Sequence, residues 1–133
     1  MGSPLQLKSY FFPHVLVTAD PSFTPNDDKS IHVDYKVKTG LERDEEHNLY
    51  QVAVEIVATP DENAKIPYSI HLVGVGLFTV DEKFPEPEKL LKITGASIIY
   101  SAAREFLITI TSRGPWPAVI LPMVSFLPRE KME

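Results

Sequence analysis

The chain has 133 residues, 44% hydrophobic and 23% charged, a balance that excludes an intrinsically disordered or collagen-like protein. Its formal net charge of −5 argues against a nucleic-acid-binding protein, which would carry a basic face. Without cysteine the sequence excludes disulfides and thiolate metal sites, and it is typical of a cytoplasmic protein. The sequence contains no run of about 18 apolar residues, the length that would predict a transmembrane helix. We expect a single domain over residues 1–133.

Four strands are predicted in the first 80 residues from runs of β-branched and aromatic side chains. Pro13 cannot donate to a strand ladder and therefore indicates an edge strand or a bulge. The charged stretch 40–48 is expected to be a hairpin loop. Gly74 and Gly76 share one face of the fourth strand and leave room for a closely packed neighbour. The four strands are 5–18, 31–39, 49–59 and 65–80.

Residues 97–112 change to the helical period, with Gly114 and Pro115 ending the helix. The fold class is therefore α+β, a four-stranded antiparallel sheet packed with one long C-terminal helix. A second row of side chains along that helix is less polar than a solvent-exposed helix face usually is. Because so small a domain is expected to cover only one side of the helix, this row predicts an oligomer interface. Its residues are Tyr100, Arg104 and Ile108.

Residues that could carry out chemistry are few. His32 and Asp34 share one predicted strand face and could form half of a metal or acid–base site, but no third ligand appears at a supporting spacing. The segment around Ser112 lacks the Gly-x-Ser-x-Gly turn of a nucleophile. The sequence therefore predicts no enzyme activity, no catalytic residue, no cofactor and no metal.

The segment IIYSAAREFLITITSRGPWPAVILPMVSF, residues 98–126, is similar to the signature of the SecB family of protein-export chaperones. Segments 73–80 and 5–18 resemble the glycine-rich strand and the first strand of that family, so the resemblance covers roughly residues 5 to 126. The residues that match the signature are Tyr100, Ala103-Arg104-Glu105, Ser112-Arg113-Gly114, Trp116-Pro117, and Pro122 with Val124 and Phe126.

The resemblance implies a homo-oligomer, a dimer of dimers, that acts as an ATP-independent holdase in the cytoplasm. Such proteins bind unfolded preproteins or other non-native polypeptides in a hydrophobic groove and pass them to the SecA motor. Neither nucleic acid nor the membrane is an expected partner. By analogy, the client-binding residues are Phe23, Val33, Tyr35, Val37, Trp116, Met123 and Phe126.

Several of these residues have a second interpretation as core. Val33, Tyr35 and Val37 could face the interior of an alternating strand, and Trp116 could close the end of the sheet. Phe23 is the least expected as core, because crossover loops usually lie on the surface.

The sequence also departs from the family pattern. It ends at FLPREKME, where family members continue into a second amphipathic helix and a motor-docking tail. The sheet face that is acidic in well-known members is expected to carry His14, Thr18 and His71, so coupling to SecA is doubtful. One alternative is a dedicated SecB-like chaperone or interaction module for a single partner, such as an antitoxin. The other is a small-molecule-binding or enzymatic α+β domain, which would need a concave pocket with convergent polar groups, such as a metal held by His32, Asp34 and a further ligand.

Overall fold

A computed structural model of the chain describes residues 4–24, 33–60 and 65–127. One antiparallel sheet in the order β1-β4-β3-β2 is followed by a long helical stretch, so the predicted α+β fold is confirmed. The strands are β1 (Leu5–Ala19), β2 (Lys36–Asp44), β3 (Leu49–Ala58) and β4 (Tyr68–Val80). The helical elements are α1 (Pro87–Leu90), a π-helical turn (Leu91–Gly95) and α2 (Ala96–Thr111).

β1 is a 15-residue edge strand that pairs only with β4 among the described strands. Its register slips twice, between Leu7 and Ser9 and between Phe11 and His14. The second slip contains Pro13, whose nitrogen has no hydrogen to donate. Both parts of the prediction for this proline, the edge position and the bulge, are confirmed.

β2 lies further along the chain than the predicted strand 31–39. Its ladder with β3 runs from Lys36 opposite Val57 to Asp44 opposite Leu49, so most of the predicted hairpin loop is strand. The turn is reduced to residues 45–48. The prediction was wrong because pairing with β3, rather than alternation within β2, fixes where the strand begins and ends.

One face of the sheet packs against α2. Gly74 and Gly76 mark the closest approach, because a methyl group added at either position would meet the side chain of Ile99. The predicted role of these glycines, room for a close neighbour, is confirmed. The core around this contact consists of Val52, Val54, Ile56, Ile70, Leu72, Phe78, Ile99, Ala103 and Leu107, all at most 1% exposed.

The helical stretch Pro87–Thr111 has 25 residues and is apolar enough, by length and composition alone, to span a membrane. The sequence did not predict this, because Lys92, Arg104 and Glu105 interrupt its apolar run. Leu91 and Leu107 of this stretch are fully buried against the sheet. Of the most apolar 18 residues in this stretch, 33% are buried, so one face of the helix packs in the core.

Gly76→Ala is expected to lower the free energy of unfolding by about 1–3 kcal/mol, the usual cost of overpacking a core. The added methyl would meet the side chains of Ile99 and Phe78. Gly40→Ala in β2 is the matched control, because nothing lies within 4 Å of its added methyl. Chemical denaturation measures both variants. Equal stability of the two would contradict the close approach of helix and sheet.

Candidate binding surface

The segment after α2, residues 115–127 (the tail), contains neither helix nor strand and runs back along α2. The tail contacts first the C-terminal end of the helix and then its N-terminal half. The two contacts are about 16 Å apart along the helix axis, at 1.5 Å per residue. The tail therefore lies antiparallel to α2. Three hydrogen bonds hold it there: Val119 N to Thr111 Oγ1 (2.7 Å), Arg104 Nε to Leu121 O (3.0 Å) and Tyr100 Oη to Pro122 O (2.6 Å).

Two buried residues, Thr111 and Tyr68, fix the start of the tail. The hydroxyl of Thr111 accepts the hydrogen bond from Val119 N, and that of Tyr68 accepts one from Trp116 N at 3.1 Å. Gly114 is required beside them, because any side chain there would collide with the Tyr68 hydroxyl. Sequence reasoning missed both anchors, since neither belongs to a motif and each acts only on a distant part of the chain.

Phe23 and Trp116 form one end of the candidate surface. Their ring centroids are 5.3 Å apart at 66°, and Trp116 Nε1 donates to Asp20 O at 2.9 Å. Phe23 is only 7% exposed, so the expectation that it lies on the surface was wrong. The indole covers it, and Trp116 itself closes this end of the sheet. The client-binding role of both residues stays a prediction.

Tyr100 is the centre of a second cluster. The ring of Phe126 packs edge-on against that of Tyr100, with centroids 5.7 Å apart. Burial raises the pKa of the Tyr35 hydroxyl, and the nearby Tyr100 hydroxyl raises it further. Burial also raises the pKa of Tyr100, against the lowering effect of Arg104. Half-buried Val37 packs against the same core from β2.

Val33 and Met123, the last two of the predicted client-binding residues, differ in exposure. Val33 is half-buried and packs against the core just before β2. Met123 is 88% exposed, and Ile120 on the same tail is 67% exposed. Exposed apolar side chains next to half-buried aromatic rings are typical of a surface that binds another polypeptide. We call this region the tail surface; it consists of Tyr35, Val37, Ile120, Met123, Val124, Phe126 and Leu127.

The second apolar row of α2 has partners within the chain. Tyr100 is 3% exposed and donates to the tail, as does Arg104, while Ile108 is half-buried. The tail therefore covers part of this row, and the expectation that the domain leaves the row uncovered was wrong. The interface at these residues stays a prediction.

The sheet face that points away from α2 (the outer sheet face) carries His14, Thr18 and His71 by its register. His71 Nε2 lies 2.7 Å from Glu55 Oε2, and the rings of His14 and His71 are 4.5 Å apart. Within residues 4–24, 33–60 and 65–127, no group of three histidine or carboxylate side chains could hold a metal ion. The proposed pair with Asp34 cannot be placed, because His32 lies outside these ranges.

Comparison with known proteins finds one family profile, described as preprotein translocase subunit SecB, that matches residues 16–128. No curated protein sequence matches the chain. A SecB-like chaperone of Mycobacterium tuberculosis, solved in complex with a ChAD peptide from the HigA1 antitoxin, has a TM-score of 0.71 at 14% identity and covers 92% of this chain and 91% of its own. A protein of unknown function from Streptococcus agalactiae has a TM-score of 0.52 at 12% identity, with 90% and 97% covered. At these identities the structural likeness shows the fold alone.

Thr111→Val is expected to loosen the start of the tail, because a buried donor left unpaired at Val119 costs about 1–3 kcal/mol. Hydrogen exchange of the Val119 amide should accelerate about tenfold. Thr109→Val is the matched control: its hydroxyl also donates to the carbonyl four residues earlier, at 2.9 Å, but it is exposed and has no bond to the tail. The same exchange rate in both variants would show that Thr111 does not hold the tail.

Proposed function

The chain belongs to the SecB family, whose profile spans residues 16–128, and from this premise we propose that it is an ATP-independent holdase. The resemblance read from residues 98–126 is thereby confirmed. The family is one of chaperones rather than enzymes. The proposed clients are unfolded preproteins or other non-native polypeptides, held in the cytoplasm.

The tail surface is the single observation that carries this proposal. It offers apolar side chains on an irregular segment, without an arrangement that would select one client sequence. An extended client gains about 25 cal/mol for each Å² of apolar surface that it removes from water. Binding of this kind requires neither a nucleotide nor a covalent step.

The predicted client residues contribute unequally to this proposal. Tyr35 and Met123 lie on the tail surface, where a client would reach them without any change in the fold, whereas Phe126 on the same surface is half-buried against Tyr100. Phe23 and Trp116 pack on each other, so a client would reach Phe23 only after the indole moves away. We therefore centre the client site on the tail surface and place the Phe23–Trp116 pair at its end.

A dedicated chaperone for one partner is the second candidate. It is favoured by the likeness to the mycobacterial SecB-like chaperone, which was solved with an antitoxin peptide and is covered over 91% of its length. The charges on the outer sheet face also favour this second candidate. Lys38 lies opposite Glu55 in the ladder of β2 with β3, so the charges on this face offer little net negative field to a basic partner such as the SecA motor.

The holdase proposal is tested by mixing the purified protein, without nucleotide, with an unrelated denatured protein at near-stoichiometric ratio during dilution. The wild type should suppress aggregation. Met123→Asp should bind the client about tenfold more weakly, because burial of a large apolar side chain is worth about 1.5 kcal/mol or more. Light scattering and a fluorescent client measure the two effects.

Leu16→Asp is the matched control for Met123→Asp. It makes the same change in charge at an exposed apolar residue of the outer sheet face, opposite His71 in β4. Client binding should be unchanged in this variant. An equal loss in both variants would move the client site away from the tail surface. A well-folded wild type that suppresses nothing would contradict the general holdase and leave the dedicated chaperone.

The exposed edge of β1 supports the proposed assembly into dimers that pair into a tetramer. Leu7, Tyr10 and Val15 are exposed on the side of β1 that faces α2, and Ile98 is exposed on the helix. Among the described strands, the outer edge of β1 from Gln6 to Ala19 has no strand partner, and such an edge favours pairing with a second strand. We propose that a second copy of the chain covers this edge.

Val15→Lys is expected to shift the assembly towards monomers, because a lysine on an edge strand opposes strand pairing. Sedimentation velocity measures the change. Ile120→Lys is the matched control: it places the same charge on an exposed apolar residue of the tail and should leave the oligomeric state unaltered. A Val15→Lys protein that sediments like the wild type would exclude the β1 edge as the interface.

A further inference from the structure

The ring of Phe126 sits in a cleft between β2 and the beginning of the long helix. It lines a pocket of about 180 Å³ and a more open pocket of about 410 Å³. Lys92 also lines both pockets, so the two are neighbours within this cleft. The apolar wall of the smaller cavity is formed by Leu41, Val52, Leu91 and Ala96.

The attachment of Phe126 to this cleft is weak. The ring is only half-buried, and its neighbours Met123, Val124 and Leu127 are exposed. Among the described residues, the last hydrogen bond from the tail to another element is the one from Tyr100 to Pro122 O. Beyond that point Leu127 N donates to Ser125 Oγ at 3.3 Å, a bond within the tail itself.

We propose that this cleft is a binding pocket for an aromatic side chain of an extended polypeptide, and that Phe126 occupies it as a built-in competitor. The inference rests on the proposed function and adds a means of regulating it. The occupant seen in the structure defines the chemistry of the ligand, since it is itself an aromatic side chain on an extended segment. A client with such a side chain must first displace Phe126.

The cleft arises from the position of the helix above the sheet. α2 packs on β3 and β4, whereas β2 is met by the π-helical turn. Leu41 on β2 and Leu91 on that turn therefore form two walls of a gap that none of the described helices and strands fills. The pocket of about 180 Å³ beside Phe126 leaves space next to its ring, bounded by these apolar walls.

If Phe126 competes with the client for the pocket, removing its ring should strengthen client binding. When only a fraction of the molecules has an empty pocket, the apparent dissociation constant is the intrinsic one divided by that fraction. If the closed state outnumbers the open one by about ten to one, Phe126→Ala should tighten client binding about tenfold. If Phe126 were instead a simple client contact, the same variant would bind more weakly.

The test uses the full chain and a capped 12-residue peptide of Gly, Ser and Lys that carries a single Phe. Fluorescence anisotropy should show about tenfold tighter binding to Phe126→Ala than to the wild type. The same peptide with Ala in place of Phe should bind both proteins equally weakly. Phe11→Ala is the matched control, since it removes an exposed phenylalanine on the outer sheet face and should bind like the wild type.

Equal or weaker binding of the Phe peptide by Phe126→Ala, or no binding by either protein, would overturn the inference. A second measurement avoids truncating the side chain: a fluorinated phenylalanine is placed at position 126 and its ¹⁹F resonance is followed. The resonance should move to its solvent-exposed position when the Phe peptide binds and not when the Ala peptide is added. A resonance that stays in place under the bound peptide would also overturn the inference.

Failure of this inference is distinguishable from failure of the proposed function. A wild type that suppresses aggregation, together with a Phe126→Ala protein that gains no affinity, refutes the competitor alone. A wild type that suppresses nothing, together with tighter peptide binding by Phe126→Ala, refutes the general holdase and keeps the pocket.

Discussion

The contact of Ile99 with the backbone of Gly74 and Gly76 is the constraint on which the rest of the structure depends. A helix can approach a sheet this closely only where side chains are missing, so the two glycines fix α2 above β3 and β4. β2, at the edge, is left with the π-helical turn as its helical neighbour. The gap that results is the space into which the tail folds.

The tail completes the domain with few anchors. Near α2 it is held through the buried hydroxyl of Thr111 and through donors on Arg104 and Tyr100 that reach main-chain carbonyls. Across the described part of the chain, no buried side-chain polar atom lacks a hydrogen-bond partner. Towards Phe126 these anchors end while the apolar contacts continue. An apolar segment held this loosely at its end is suited to exchange with another polypeptide, because exchange breaks few directional bonds.

Some features of the site could be predicted from the sequence because they depend on local or periodic patterns. Aromatic and apolar residues between prolines predicted a binding segment in the tail, and in the structure Tyr100 interacts with both Tyr35 and Phe126 while Met123 is exposed on the same tail. Phe23 was misplaced, since the residue that buries it, Trp116, is far away in the sequence. Local pattern shows which side chains are apolar, but a distant segment decides which of them are covered.

The sequence by itself determined the α+β class, the helix that ends before Gly114, the bulge at Pro13 and the family to which the chain belongs. Each follows from spacing or backbone chemistry within a short stretch. Only the tertiary structure decided the bounds of β2, which depend on pairing with β3, and the partners of Tyr100, which depend on the path of the tail. These are contacts between residues distant in sequence, and their free energies depend on the geometry of the whole domain rather than on any local pattern.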